Sequence, residues 1–496
     1  MANSVAWSSP ATIPTANGLH FDPSATQDLA QSNIWVFWAS TRVPVRSEVY
    51  YMKHDPSFGT WQAEVQVTQN SEDDNGPAVT TLTNGTIMLL WSGKRAATGP
   101  SFDIYAKRLT GGIWSPEARL TTSALDDEKP AVLQDRAGKI WVAWNRNVTG
   151  NIDLFYDVYQ NGLWQGETRL TSTVGEDRQV SLAQSKDGRI WAVWTSRGSQ
   201  AVAFIQYSTF NGTAWSPPAV LAQSRDGDID PSIVQDREGT IWVVWTRSIK
   251  VGNSYQGDLY HTNSTNNGVS WTPPAAFATT NTIDEIQPSI KQFDDRRLWI
   301  FYSQIDESIS LSTLNYIKSS AILNIHDLRM DSLTATPAHQ VLGGNVSLAA
   351  RYTNIGDFLE TAARLVLKAN NTILSDTTNI VRIGNTNTFT FNWNTQGFGP
   401  GTYILSASVT VPGETLGNAQ DNIVIVGGIT VRFPGDVNND CMVNIVDLAL
   451  AGASFGSSGG PPPSSNWNPN ADLNYDNTVN IIDLANVGGS FGRACG

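Results

Sequence analysis

Apolar residues along this chain gather in short runs separated by polar turns. Six runs share one pattern: IWVFW from Ile34, IMLLW from Ile87, IWVAW from Ile140, IWAVW from Ile190, IWVVW from Ile241 and LWIFY from Leu298. Short stretches of β-branched and aromatic residues, most of them just after turns such as NGT or DGR, predict strands. The runs start 53, 53, 50, 51 and 57 residues apart. An unbroken apolar run also predicts a strand covered on both faces.

A second signature follows five of the runs, at Trp61, Trp114, Trp164, Trp215 and Trp271. Between the signatures lies a third strand such as DLFYDVYQ, and before each run lies another, such as PSIVQD. Four strands per unit of about fifty residues, with periodic tryptophan, predict the blades of a β-propeller. The last unit lacks its Trp strand, but VAWSSPATIPT, from Val5, matches IWSPEARLTT. The N-terminal strand is therefore expected to complete the sixth blade and remove two open sheet edges. Sixteen of the 18 tryptophans fall at these repeat positions, so packing rather than ligand contact accounts for them.

Composition narrows the class further. With 496 residues, 40% apolar and 16% charged, the chain is expected to fold as two to four globular domains, mainly β. A net charge of −13 offers no basic footprint for nucleic acid or for an anionic membrane surface. No apolar run approaches the roughly 18 residues of a membrane span. The first residues lack a basic n-region and an apolar h-region. Sequons stand at Asn84, Asn147, Asn211, Asn263, Asn345 and Asn370, candidate glycosylation sites. The expectation is an extracellular or cell-surface protein whose signal segment is not in this sequence.

The stretch STNNGVSW, Ser264 to Trp271, matches the Ser-x-Asp-x-Gly-x-Thr-Trp box with Asn266 for Asp and Ser270 for Thr. On this motif, residues 1–320 resemble the BNR or Asp-box propellers of the sialidase-like superfamily. That resemblance implies three arginines gripping a carboxylate, a Tyr/Glu nucleophile pair and an Asp acid. Arg42, Arg95, Arg146, Arg197 and Arg247 follow the apolar runs and are expected at one rim. Asp73, Asp126, Asp177, Asp228 and Asp284 precede the innermost strands and reach the same rim. Rim charges that pair with one another are the simpler reading. No clear Tyr/Glu pair emerges, and His20, His54, His261, His326 and His339 are scattered, so no catalytic residue is assigned.

Residues 321–432 read as a β-sandwich, with alternating strands such as VSLAARYTN and GTYILSASV and with Trp393 as core aromatic. The NIGD turn and the GTYIL strand resemble CARDB-type immunoglobulin-like domains, which usually act as spacers.

Residues 433–496 repeat internally: DVNNDCMVNIVDL aligns with DLNYDNTVNIIDL. Oxygen donors fall at loop positions 1, 3, 5, 9 and 12, namely Asp436, Asn438, Asp440, Asn444 and Asp447, then Asp472, Asn474, Asp476, Asn480 and Asp483. Met442 and Thr478 supply backbone carbonyls at position 7, completing cages for two calcium ions. Asp at position 12 and one helix after each loop resemble type I dockerin modules. Cys441 occupies the position-6 turn that normally takes glycine, and strain of ~1 kcal/mol is expected there. In a paired module the second helix runs back toward the first loop, so a Cys441–Cys495 disulfide is expected. Ile445, Val446, Ile481 and Ile482 depart from the small hydroxyl residues usual at positions 10 and 11. They predict a buried contact with the sandwich or with another subunit. The domain order resembles archaeal cell-surface proteins. The expected role is a non-catalytic recognition or assembly platform that binds other extracellular proteins, itself or glycans. A sialidase-like hydrolase or a lectin is the alternative.

Overall fold

Each apolar run is the second strand of an antiparallel group: Ile34–Val43, Ile87–Arg95, Ile140–Val148, Ile190–Arg197, Ile241–Val251 and Leu298–Asp306. The computed structural model describes residues 5–494 apart from 44–45, 57, 96–97, 199–201, 252–253, 278–282, 307–310 and 321–324. It forms two units, Met1–Leu323 and Asn324–Gly496.

In the first unit, the apolar strands pair with preceding strands Leu19–Gln27, Asp74–Thr81, Asp127–Gln134, Glu176–Gln184, Asp228–Gln235 and Asp284–Gln292. A third strand flanks each on the other side. The third and fourth groups touch through one parallel pair, Ile152–Glu176, and so form a single sheet. The sixth group takes its outermost strand from the chain start: Ala11–Thr12 pairs with Leu311–Lys318, and Trp7 bridges to Ser319.

Two sets of tryptophans hold this unit together. Trp38, Trp91, Trp144, Trp194 and Trp245 are sealed within the sheets. The last four donate their indole N–H to Asp74, Asp127, Asp177 and Asp228, so the buried ring keeps its polar atom satisfied. The outer tryptophans pack on the preceding group. Trp114 lies against Phe37 and Tyr51, Trp215 against Trp141 and Trp271 against Trp191. Trp7 meets Trp242 at 5.9 Å and Phe277 at 5.0 Å. Trp61, in the first group, meets Tyr316 of the sixth. Trp164, in the third group, packs on the core it shares with the second, so such contacts link each group to the one before it and the first to the sixth.

A polar belt follows the same circle. The last glutamine of an innermost strand accepts a backbone N–H from the preceding group's turn. The pairs are Thr83 to Gln134, Arg136 to Gln184, Arg237 to Gln292 at 2.8 Å and Asp294 to Gln27 at 2.8 Å, with Lys186 to Gln235 between them. Thr81 replaces glutamine in the second group and bonds the Gln27 carbonyl instead. Each glutamine bond satisfies a turn amide and the threonine bond a carbonyl, so side chains do between groups what a ladder does within one.

In the second unit, a three-stranded sheet and a five-stranded sheet enclose one core that includes Leu348, Leu365, Trp393 and Leu405. Trp393 is fully buried there, as its place in an alternating strand predicts. The chain then enters two loop–helix repeats, with helices α1 (Ile445–Ala453) and α2 (Ile481–Ser490). Their shared core pairs equivalent residues of the two repeats: Val437 with Leu473, Val443 with Val479 and Ala451 with Val487. No helix among the described residues is long and apolar enough to cross a membrane.

Candidate functional sites

Each C-terminal acidic loop leads into a helix, and its first and last aspartates are drawn inward. Asp436 and Asp447 are buried in the first loop, and Asp472 and Asp483 in the second. Asp447 accepts N–H bonds from Val437, Asn438 and Asn444; Asp483 does the same from Leu473, Asn474 and Asn480. Asn444 and Asn480 are helix N-caps, each in a capping box with the following aspartate. Positions 9 and 12 therefore also terminate the helices, which explains these residues without an ion. The remaining donors are close by: Asp440 accepts from Asn438 and Met442, and Asp476 from Asn474 and Thr478.

Burial pushes the Asp436 carboxyl upward, and Asp447 and Asp440 add to the push. Asp472 is raised in the same way, with Asp483 and Asp476 contributing. Buried carboxylates gathered without a basic partner suit a hard cation with oxygen ligands. Among the described residues, however, no three His, Cys, Asp or Glu side chains draw together closely enough to hold a metal. The Asp440 and Asp476 carboxylates instead turn to their own loop amides. The residues fit calcium by type and position.

Cys441 takes φ 66° and Asn477 φ 62°, the left-handed turn expected at position 6. Position 4 is left-handed as well, at Asn439 (φ 60°) and Tyr475 (φ 59°), which the sequence pattern did not signal. Cys495 lies outside the described residues. Ile445, Val446, Ile481 and Ile482 are exposed, between 49% and 67%, which corrects the expectation of a buried contact with the sandwich. The reason is helical phase. Leu448, Ala451, Leu484 and Val487 occupy the inward faces, so the residues just after each N-cap point outward. The sandwich touches this module elsewhere: Arg432 donates to the Asp436 carbonyl, and the Val341 amide donates to the Tyr475 hydroxyl.

The five rim arginines are engaged within their own groups. Arg42 pairs with Glu64, Arg95 with Asp74 and Glu117, Arg146 with Asp127 and Glu167, and Arg247 with Asp228. Arg197 stands 3.8 Å from Glu176 and is half exposed. The acidic partners in the second and third groups are Asp74 and Asp127, one residue after Asp73 and Asp126. Strand alternation turns only the later residue inward. Asp73 and Asp126 accept strand amides from Ser47 and Phe102, and Asp284 accepts one from Gly257. Glu285 and Tyr302 lie close together, and burial and then Glu285 raise the tyrosine hydroxyl well above its usual range. They occupy the positions that Asp228 and Trp245 occupy in the group before, so the pair is one more copy of a packing motif.

His20 and His261 are half or fully buried and depressed to about 4, chiefly by burial. His54 packs on Trp61 and Trp299, and His326 bonds Glu360. The sequons at Asn84, Asn147, Asn211, Asn345 and Asn370 are exposed, and Asn263 is half-buried.

One feature went unread in the sequence. The innermost strands carry DPS, GPA, KPA, QVS, DPS and QPS at the repeat spacing. The first residue of each, Asp22, Gly76, Lys129, Gln179, Asp230 or Gln287, is left-handed, with φ between 53° and 58°, and sits at a bulge. All six line one cavity of about 140 Å³, which none of the rim arginines reaches. Lys129 pairs with Asp22 at 2.5 Å. Burial, then Asp22, push the Asp230 carboxyl up to about 7.

No curated protein matches the chain. Among solved structures, a Dyadobacter fermentans protein of unknown function matches at 13% identity, covering 64% of this chain and 100% of that one, with a TM-score of 0.52. The likeness extends to the fold alone. The NanB sialidase of Streptococcus pneumoniae matches at 9% identity over 62% of this chain and 70% of its own, TM-score 0.48. A CARDB domain of Pyrococcus furiosus, solved with di-metal ions, matches at 18% over 23% of this chain and 99% of its own, TM-score 0.20. Within the family models the match is local and specific: residues 434–489 match the dockerin type I domain.

Proposed function

We propose that this chain is a secreted or cell-surface, non-catalytic assembly protein. A six-bladed propeller would serve as its recognition platform, a CARDB-like sandwich as its spacer and the dockerin as its calcium-held docking element. The observation that carries the reading is the dockerin's outward apolar pair on each repeat, Ile445 with Val446 and Ile481 with Ile482. Apolar side chains so exposed in a module this small mark a protein-binding face. The domain match points to docking of an extracellular protein.

The circle of outer-tryptophan contacts, with Asp294 bonded to Gln27, supports a ring closed by the N-terminal strand. Two calcium ions would occupy the loops. Cys441 is disulfide-bonded and the sequence holds one other cysteine, Cys495, which supports the expected pairing. A hydrolase reading finds less support, because the rim arginines are consumed by carboxylates of their own blades instead of converging on one pocket.

Binding to a cohesin panel and self-association by sedimentation, each with calcium and with EGTA, test the docking role. Calcium-dependent association that Ile445→Lys with Ile481→Lys abolishes is the expected result. A chain that stays monomeric and binds no cohesin under both conditions overturns the reading. Rapid turnover of a fluorogenic sialoside would overturn its non-catalytic part.

A further inference from the structure

Along the axial cavity, innermost strands turn a backbone amide away from their own group. In three groups a serine of the preceding group meets it: Val79 donates to Ser24, Ile233 to Ser181 and Ile290 to Ser232, at 3.1 to 3.2 Å. The same register sets the Val132 and Leu182 amides beside Ala78 and Ala131, whose methyl groups cannot accept. All four of these residues line the cavity. A backbone N–H in such a place needs a partner from outside the strands.

The sixth group adds a charge. Ser289 and Lys291 stand two apart on the strand Asp284–Gln292, hence on one face of it, and both line the cavity. Among the described residues, neither the Ser289 hydroxyl nor the Lys291 ammonium has a hydrogen bond or an ion pair. Lys291 takes the place that Thr26, Thr80, Leu133, Ala183 and Val234 fill in the other groups, so the packing of the repeat does not call for a cation there. Burial alone depresses its ammonium, with no carboxylate near enough to offset it. The cavity's other lysine is engaged, because Lys129 pairs with Asp22 at 2.5 Å. Asp230 is engaged as well, by the Gln179 side chain. These groups belong to the left-handed ring, whose member on this strand, Gln287, lies four residues before Lys291, ~13 Å along an extended strand. A buried ammonium with no counter-charge is destabilising unless an anion meets it.

We propose that the axial cavity binds a small organic carboxylate, its charge met by Lys291 and its oxygens by the Ser289 hydroxyl and the Val132 and Leu182 amides. The proposal rests on the closed-ring reading above, in which the third and fourth groups stand across the axis from the sixth and the donors approach from two sides. One free ammonium balances one negative charge, which favours a monoanion. Pro23, Pro77, Pro130, Pro231 and Pro288 line the same cavity and give the carbon body of the anion an apolar wall. At about 140 Å³, the cavity has room for an anion of several atoms.

The test melts the full chain in sodium acetate and in sodium chloride at equal ionic strength, followed by tryptophan fluorescence. Acetate should raise the melting temperature of the first unit in a saturable way, and chloride should not. Lys291→Met should fold as the native chain does and lose acetate affinity tenfold or more. Ser289→Ala should weaken acetate about threefold. Ala131→Ser offers the Leu182 amide an internal partner, as Ser181 does for Ile233, and should weaken acetate by a similar factor without lowering the melting temperature in its absence. No acetate shift, an equal shift in chloride, or an acetate shift that Lys291→Met retains overturns the site and leaves the ring reading standing. Should Lys291→Met fail to fold, unchanged acetate affinity in Ser289→Ala and Ala131→Ser overturns it equally. The ring reading fails by a separate observation: a Trp7→Ala chain that melts like the native one.

Discussion

The first unit and the dockerin both fold a repeat on itself, yet different forces hold them. In the first unit, whole tryptophans vanish between groups and their indole N–H groups meet buried aspartates. The dockerin core has seven buried residues, none larger than leucine. Burial at about 25 cal/mol per Å² can sustain the former alone, whereas a core as small as the latter needs a staple or a metal. Apolar area makes the first unit nearly indifferent to its ionic surroundings, and the scarcity of it makes the tail conditional on them.

Chelation should separate the two most sharply. EGTA is expected to abolish the helical circular dichroism of α1 and α2 and leave the melting of residues 1–323 within a degree or two. Loss of both transitions together would mean that the contrast is false. Reducing agent should raise the calcium concentration below which the tail unfolds, read by proteolysis.

Within the first unit, the contacts of the N-terminal segment carry the next largest effect. Trp7→Ala removes the ring that meets Trp242 and Phe277; because Trp7 is only partly buried, it should cost about 2 kcal/mol, below the range for a fully buried aromatic. Urea melts of the two units would show this loss in the first alone.

Acid should act on the ring through its histidines. His20 and His261 sit near 4 in the fold against 6.5 when unfolded, so their contribution is full above pH 6.5. It is lost as pH falls toward 4, because the unfolded chain then binds the extra protons. The melting temperature of the first unit should drop over that window, and His261→Phe should flatten the drop. A flat native profile would show these rings to be freely protonated.

The smallest effect belongs to the belt. Gln27→Ala removes the bond from Asp294 and should cost about 1 kcal/mol. An equal change at Gln134 would show that the seam between last and first groups is no weaker than any other.

Much of this was legible in the sequence. Aromatic strands at a fixed spacing, and two aligned acidic loops, carry their periodicity on the surface of the text. The axial ring was harder to read, because DPS and QPS look like loop punctuation; only the bulge in the folded strand turns their first residue inward. The rim aspartates slipped by one residue for a related reason: alternation, not proximity to the strand start, decides which carboxylate faces the arginine. The outward isoleucines were misread because helix phase depends on where the N-cap falls, and Asn444 and Asn480 had been counted as ligands alone.

The pairing of Ala11 with Tyr316 has a consequence for the order in which the chain can fold. That early segment must wait, unpaired, until nearly the whole unit has been made. Contacts of such long sequence separation form late and slowly, so an unfinished chain carries one open edge and one idle strand. Such nascent molecules can cross-pair with their neighbours at that edge, and the last twenty residues of the unit act as the latch that ends the hazard.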